Sequence, residues 1–204
     1  MDKNVILVGG FSEIIELCED CNLNIVGVID QPNWESAVHS YPLLGQDKDA
    51  LSLYKKYSNC KIVISPDSPV HRQKLYIHYQ QYGFEFATII SPYARISRSA
   101  KIGEGCVIQS GVNVSSNCVL GKFIKINTNA NIMHDNIIGD FTTIAPNAVL
   151  LGKVNTGERS YIGANSTVLS NINIGNDSTI GASAVVTRDV EQGITVRGIP
   201  AKKM

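Results

Sequence analysis

The chain has 204 residues, with 18 Lys+Arg against 18 Asp+Glu and 44% hydrophobic residues. That length holds one large domain or two small ones, and the charge balance argues against a basic nucleic-acid-binding surface. No run reaches the roughly 18 apolar residues of a membrane span. Met1-Asp2-Lys3-Asn4, followed at once by Val5-Ile6-Leu7-Val8, lacks the apolar core of a signal peptide, so a cytoplasmic location is expected.

Residues 1–90 alternate short β-branched runs with amphipathic ones. Strands are expected at Val5–Val8, Asn24–Ile29 and Lys61–Ile64, with a weaker fourth at Ala87–Ile90. Helices are expected near Ser12–Asp20, Asp47–Tyr57 and Pro69–Tyr82. This order predicts a small parallel sheet with helices on both faces. The ligand crevice of such a sheet lies at the strand carboxyl ends. Here those ends are Val8-Gly9-Gly10-Phe11-Ser12, Ile29-Asp30-Gln31 and Ile64-Ser65-Pro66-Asp67. Gly9-Gly10 does not complete a G-x-G-x-x-G, so ordinary dinucleotide binding is not expected. Asp30 stands where a carboxylate can accept from a ribose hydroxyl or a base N–H, or simply fix a turn. Arg72 reads as a solvated helix residue, with a diphosphate contact as the alternative.

Five cysteines, Cys18, Cys21, Cys60, Cys106 and Cys118, fit reduced thiols. Cys18 and Cys21 form one C-x-x-C with no second pair at zinc spacing, and Glu16, Glu19 and Asp20 beside them raise a thiol pKa. They read as structural. Ser91-Pro92 marks the expected boundary between a domain 1–90 and a domain 91–204 that ends in a tail.

From Ile96 onward every sixth residue is aliphatic through Val186, in fifteen of sixteen cases, with Thr156 the exception. An α-helix cannot keep that stripe on one face, because six residues turn about 600°. A triangular coil can: each six residues make a strand and a corner, three of them close an 18-residue turn, and the aliphatic residues stack inward at about 4.8 Å. Residues 96–190 then form roughly five coils, with Gly and Asn expected at the tight corners.

Of four histidines, His39, His71, His78 and His134, only His134 lies in the coil. Asp135 follows it, and a carboxylate at one imidazole nitrogen fixes the tautomer and makes the other the base. One coil later stands Gly152, whose amide is then expected about one strand spacing away, suited to an oxyanion. A single coil histidine cannot supply the three ligands of a zinc carbonic anhydrase, and no metal site is expected.

The run His134-Asp135-Asn136-Ile137-Ile138-Gly139-Asp140-Phe141, the Ala145-Pro146 segment and the ending Val196-Arg197-Gly198-Ile199-Pro200-Ala201-Lys202 resemble the bacterial sugar acetyltransferases with hexapeptide repeats. That family includes sialic acid O-acetyltransferases and N-acetyltransferases of nucleotide-linked 4-amino-dideoxy sugars. The resemblance implies a Rossmann-like N-terminal domain, a left-handed β-helix and a homotrimer with acetyl-CoA between neighbouring subunits. It implies His134 as base, Asp135 as its acidic neighbour and Gly152 as the amide that meets the thioester oxygen. Acetyl-CoA is then expected along Gly152, Ala164, Ala182 and the tail residues Pro200, Lys202 and Lys203. Gly9, Gly10, Asp30 and Ser65 are the expected acceptor residues.

The first loop departs from the family's Gly-x-x-Gly-His: Ser12 and Glu13 stand where Gly and His are usual. The loop at Ser65-Pro66-Asp67 replaces a usual Gly-Asn or Gly-Asp. The expected activity is N-acetylation of a nucleotide-linked 4-amino-4,6-dideoxy sugar in surface-glycan synthesis. O-acetylation of sialic acid or another sugar, and a non-catalytic assembly module, are the alternatives.

Overall fold

The computed structural model describes residues 3–32 and 40–204, so His39 lies outside the described residues. The N-terminal unit holds β1 (Asn4–Val8), α1 (Ser12–Asp20), β2 (Asn24–Ile29), β3 (Leu43–Gly45), α2 (Ala50–Tyr57), β4 (Lys61–Ile64) and α3 (Pro69–Gln80). Its sheet is parallel, in the order β3-β2-β1-β4. Alternation along β1 divides the core. Val5 and Leu7 pack with Ile14, Ile15 and Cys18 of α1, whereas Ile6 and Val8 pack with Leu53 of α2 and Leu75 and Tyr79 of α3. Helices therefore cover both faces.

Two details differ from the expectation. The fourth strand is Leu43–Gly45, which joins the edge beside β2. The Ala87–Ile90 run supplies a strand at Ile89–Ile90 that pairs with Val107–Ile108 instead, as the first rung of the coil. Ile90 already stood in the six-residue frame, one step before Ile96, and its burial is served by stacking on Ile108.

The rest is a parallel β-helix with three faces. Strands of the first face start at Ile89–Ile90 and recur at Val107–Ile108, Lys125–Ile126, Thr143–Ile144, Tyr161–Ile162 and Thr179–Ile180. The second face begins at Arg95–Ile96 and the third at Lys101–Ile102, with a register of 18 residues throughout, as in Val119↔Ile137 and Asn131↔Val149. The last coil is shorter, Thr179 pairing Thr195, and the tail strand Lys202–Lys203 folds back antiparallel on Thr195–Arg197. The frame residues form one core; Thr156, the polar exception, accepts from Gly139 N–H at 3.2 Å through its hydroxyl.

The corners correct one expectation. Glycines after the aliphatic position, such as Gly103, Gly139 and Gly163, are absent from the positive-φ residues; a Cβ on Gly103 would stand 2.4 Å from the Gly121 carbonyl oxygen one coil on. They permit close approach of coils. The left-handed backbone falls three residues before each aliphatic position, at Gly105, Gly111 and Asn117 and onward to Ser183, and includes Phe123 (φ 54°) and Phe141 (φ 61°).

Those two phenylalanines explain the joint between the units. Their rings stack at 5.3 Å, and Phe123 meets Tyr76 of α3 at 4.5 Å and Phe86 at 5.0 Å. A left-handed non-glycine residue costs about 1–2 kcal/mol. Burying a phenyl ring gains about 1.5–3 kcal/mol and the ring contacts more, so packing wins.

Arg72 is neither a solvated nor a diphosphate-facing residue, because the joint buries it. Nε donates to the Phe123 carbonyl at 3.0 Å, Nη1 to those of Pro66 and Asp67 at 2.9 Å, and Nη2 to those of Phe141 and Thr142. Burial lowers its pKa to about 10, still cationic at neutral pH. No helix among the described residues is long and apolar enough to cross a membrane.

Candidate active site

His134 stands on the corner between the second and third faces, after the buried Ile132. Asp135 takes the left-handed turn position (φ 60°), which short polar residues adopt at low cost. Its Oδ2 lies 2.8 Å from His134 Nδ1, and Oδ1 accepts from Asn117 Nδ2 at 3.0 Å. The hydrogen bonds from His134 and Asn117 hold the Asp135 carboxyl below its ordinary range, so it is an anion that only accepts. Nδ1 therefore carries the proton and Nε2 keeps its lone pair. Asn136, next in sequence and fully buried, donates to the Met133 carbonyl at 3.0 Å and accepts from Val154 N–H, which ties this coil to the next.

The imidazole edge covers Gly152. A Cβ there would meet His134 Cε1 at 2.5 Å and Nε2 at 2.7 Å, so only glycine leaves the ring in place. Backbone bonds on either side, Lys153 N–H to the His134 carbonyl (3.0 Å) and Leu151 N–H to that of Val168 (3.0 Å), fix the turn. Among the described residues the Gly152 N–H meets no acceptor. A base with a free lone pair thus sits beside an uncommitted amide donor, a pairing suited to acyl transfer.

The other expected residues fall elsewhere. Ala164 and Ala182 stack on Pro146 along the corner between the first and second faces, one prism face away from His134. Pro200, Lys202 and Lys203 are exposed on the folded-back tail.

In the α/β unit, Gly9, Asp30, Phe11, Gln31, Pro66 and His71 line a cleft of about 220 Å³ at the ends of β1, β2 and β4. Asp30 Oδ2 accepts from Gly10 N–H at 2.8 Å and Oδ1 from Gln31 N–H at 2.7 Å, so it shapes the loop while facing the cleft. Ser65 is buried beneath that loop, donating to the carbonyls of Val8 (2.8 Å) and Gly9 (2.6 Å). Gly9 needs both its φ of +88° and its missing Cβ, which would stand 2.6 Å from Ser65 Oγ.

Sequence reasoning missed the polar floor between cleft and coil. Lys125 is 2% exposed, its Nζ 2.9 Å from Asp67 Oδ1 and 2.7 Å from the Ser65 carbonyl; Thr143 Oγ1 donates to the Asp67 carbonyl at 2.6 Å. The frame places Lys125 and Thr143 in one outward column of the first face, but that the column is covered depends on the joint. Cys18 is buried and its thiol is pushed up to about 12, chiefly by burial and then by Cys21 and Glu19, as expected of a structural cysteine. Among the described residues no three metal-ligating side chains gather.

The bacterial transferase hexapeptide family (six repeats) matches residues 153–188. No curated protein matches the chain. Among solved structures, GDP-perosamine N-acetyl transferase from Caulobacter crescentus, crystallised as a histidine-to-alanine mutant with CoA and GDP-perosamine, is 27% identical at a TM-score of 0.93. The match covers 98% of this chain and 96% of that one. The acetyltransferase domain of PglB from Neisseria gonorrhoeae, in complex with acetyl coenzyme A, is 27% identical over 100% of both chains, with a TM-score of 0.92. WeeI from Acinetobacter baumannii is 28% identical over 98% of this chain and 100% of its own, with a TM-score of 0.88. Over nearly its whole length the chain is similar to bacterial sugar acetyltransferases, and the hexapeptide repeat is shared. In this chain the repeats build the corner that carries His134, and the α/β unit supplies a separate cleft.

Proposed function

We propose that the protein transfers acetyl from acetyl-CoA to the amino group of a nucleotide-linked 4-amino-4,6-dideoxy sugar. The observation that carries this reading is His134, oriented by Asp135, lying over Gly152 with its free amide. His134 Nε2 takes the proton from the amine as its nitrogen attacks the thioester carbonyl. Gly152 N–H donates to the oxygen as it becomes an oxyanion. The C–N bond forms, the C–S bond breaks, and the proton leaves His134 with the CoA thiolate. An amine needs only modest base assistance, less than a sugar hydroxyl asks.

The trimer belongs to the same proposal. The α/β unit rests on the first face and the Phe123–Phe141 corner, and His134 occupies the corner opposite that face. A chain therefore points its own cleft away from its own base. A neighbouring copy related by a threefold rotation brings its cleft to this base, and its Ala164–Ala182 corner to this His134 corner. Val119 (41% exposed), Ile137 (53%) and Leu169 (37%) flank that edge as apolar surface to be covered. The left-handed sense of the coil, the Rossmann-like character of the α/β unit and the cytoplasmic location complete this reading.

A panel of GDP-, UDP- and dTDP-linked amino sugars with acetyl-CoA, followed by mass spectrometry, tests it. N-acetylation of a nucleotide-linked sugar is expected. Equal efficiency on the free sugar, or O-acetylation of sialic acid alone, would overturn the acceptor assignment, and absence of any thiol release would favour an assembly module.

A further inference from the structure

The coils before His134 hold a second cleft, of about 410 Å³, on the second face next to the His134 corner. Arg95, Ser97, Asn113, Ser115 and Ser116 line it, and Met133, the residue before His134, closes it. The 18-residue register stacks Arg98, Ser116 and His134 in one column, so Arg98 lies two coil spacings below the base, about 10 Å. Arg95 and Arg98 are exposed, and neither guanidinium has a hydrogen bond or ion pair among the described residues, although the Arg95 backbone N–H donates to the Val112 carbonyl. Arg72, Lys125 and Arg159, by contrast, are paired. The Arg95 guanidinium in the cleft, a floor of hydroxyl and amide groups, and Arg98 on the adjoining corner column offer a site for an oxyanion with several acceptor oxygens.

We propose that this cleft holds the diphosphate of the acceptor, so that the coil of one subunit grips what the α/β unit of another presents. The inference rests on the reading of the preceding subsection. If the donor thioester lies at Gly152 and its remainder runs toward later coils, the side of His134 left to the acceptor is the side of the earlier coils. One sugar ring and one glycosidic oxygen separate a 4-amino group from the nearest phosphorus, a span of the order of one to two coil spacings (~5–10 Å). A rotation about an axis parallel to the coil preserves height. The α/β unit contacts coils at the level of Phe123 to Thr143, so a neighbour's cleft arrives level with His134 and just above Arg95 and Arg98. Ser116 and Asn113 can donate where the guanidiniums do not reach.

The test replaces Arg95 and Arg98 by Gln, singly and together, with assembly checked by light scattering. In the double variant KM for the nucleotide-linked amino sugar is expected to rise about 10- to 100-fold, the worth of one or two charge-assisted hydrogen bonds. KM for acetyl-CoA and for the nucleotide-free amino sugar should move less than twofold, and Arg98→Lys should recover part of the loss. An unchanged acceptor KM, or an equal rise for the nucleotide-free sugar, overturns the proposal. If the double variant fails to assemble, the single variants carry the same comparison. If the wild type acetylates no nucleotide-linked sugar, the functional reading fails by itself. Calorimetry with inorganic pyrophosphate then decides the site: binding to the wild type that the Arg95→Gln/Arg98→Gln protein loses supports it, whereas equal or absent binding overturns it.

Discussion

His134 has a base's geometry only because three neighbours hold it: Asp135 at Nδ1, Asn117 behind Asp135, and Gly152 beneath the ring. His134→Ala should lower kcat by about 10²–10⁴ while the chain still assembles. Gly152→Ala tests position separately, because a Cβ 2.5 Å from Cε1 must turn the exposed ring aside. We expect a drop in kcat of about 10²-fold with little change in melting temperature, the effect of a misplacement near 1 Å. Asp135→Asn should cost less than His134→Ala, since it disturbs tautomer and orientation but leaves the imidazole. Its carboxyl is held low in the folded chain, so its contribution to stability is present above the unfolded value near 3.8 and is lost as pH falls through the lower folded value. The melting-temperature gap between wild type and Asp135→Asn should therefore persist from neutral pH to about pH 4 and close below it.

At the scale of elements, α3 fastens the α/β unit to the coil. Its Arg72 reaches five carbonyls of three segments, and its Tyr76 packs on the Phe123 corner. Arg72→Met removes those donors and leaves buried carbonyls unpaired, a loss expected to exceed about 3 kcal/mol in denaturant unfolding. Phe123→Ala and Phe141→Ala keep a left-handed non-glycine backbone, since Ala still carries a Cβ, while deleting buried rings. Each should destabilise by roughly 3 kcal/mol, and a double-mutant cycle should show coupling, because the rings stack on each other. If the joint instead tolerates either change at no cost, the packing account of these corners is wrong.

At the scale of the molecule, the proposed trimer makes function depend on copies meeting. Light scattering should give three times the 22.2 kDa chain mass; a monomer would leave each base facing no acceptor cleft. Mixing an inactive His134→Ala protein with one disabled in its cleft at Asp30 should restore activity after subunit exchange, because base and cleft at one site come from different chains. Restoration to none of the expected level would place both on one chain. Chelators should leave turnover unchanged, since the proposed chemistry uses an imidazole and an amide.

The coil was legible in the amino-acid sequence because it repeats: one buried aliphatic residue every six positions is a local rule applied again and again, and it fixes register, core and the 18-residue stacking of His134 over Gly152. The three main strands and the helices of the α/β unit were legible for a similar reason, as each carries its own periodicity. What only the tertiary structure decided involves residues far apart in sequence. Ile89–Ile90 joined the coil because Val107–Ile108 offered it a ladder, and Leu43–Gly45 found the free edge of β2. Arg72 and Lys125 look like surface cations in any local pattern; they are buried because carbonyls and a carboxylate 5 to 70 residues away converge on them. The opposite placement of cleft and base has the same origin. It follows from which prism face the α/β unit covers, and the repeat is identical on all three faces in period, so the choice lies in the side chains at the joint.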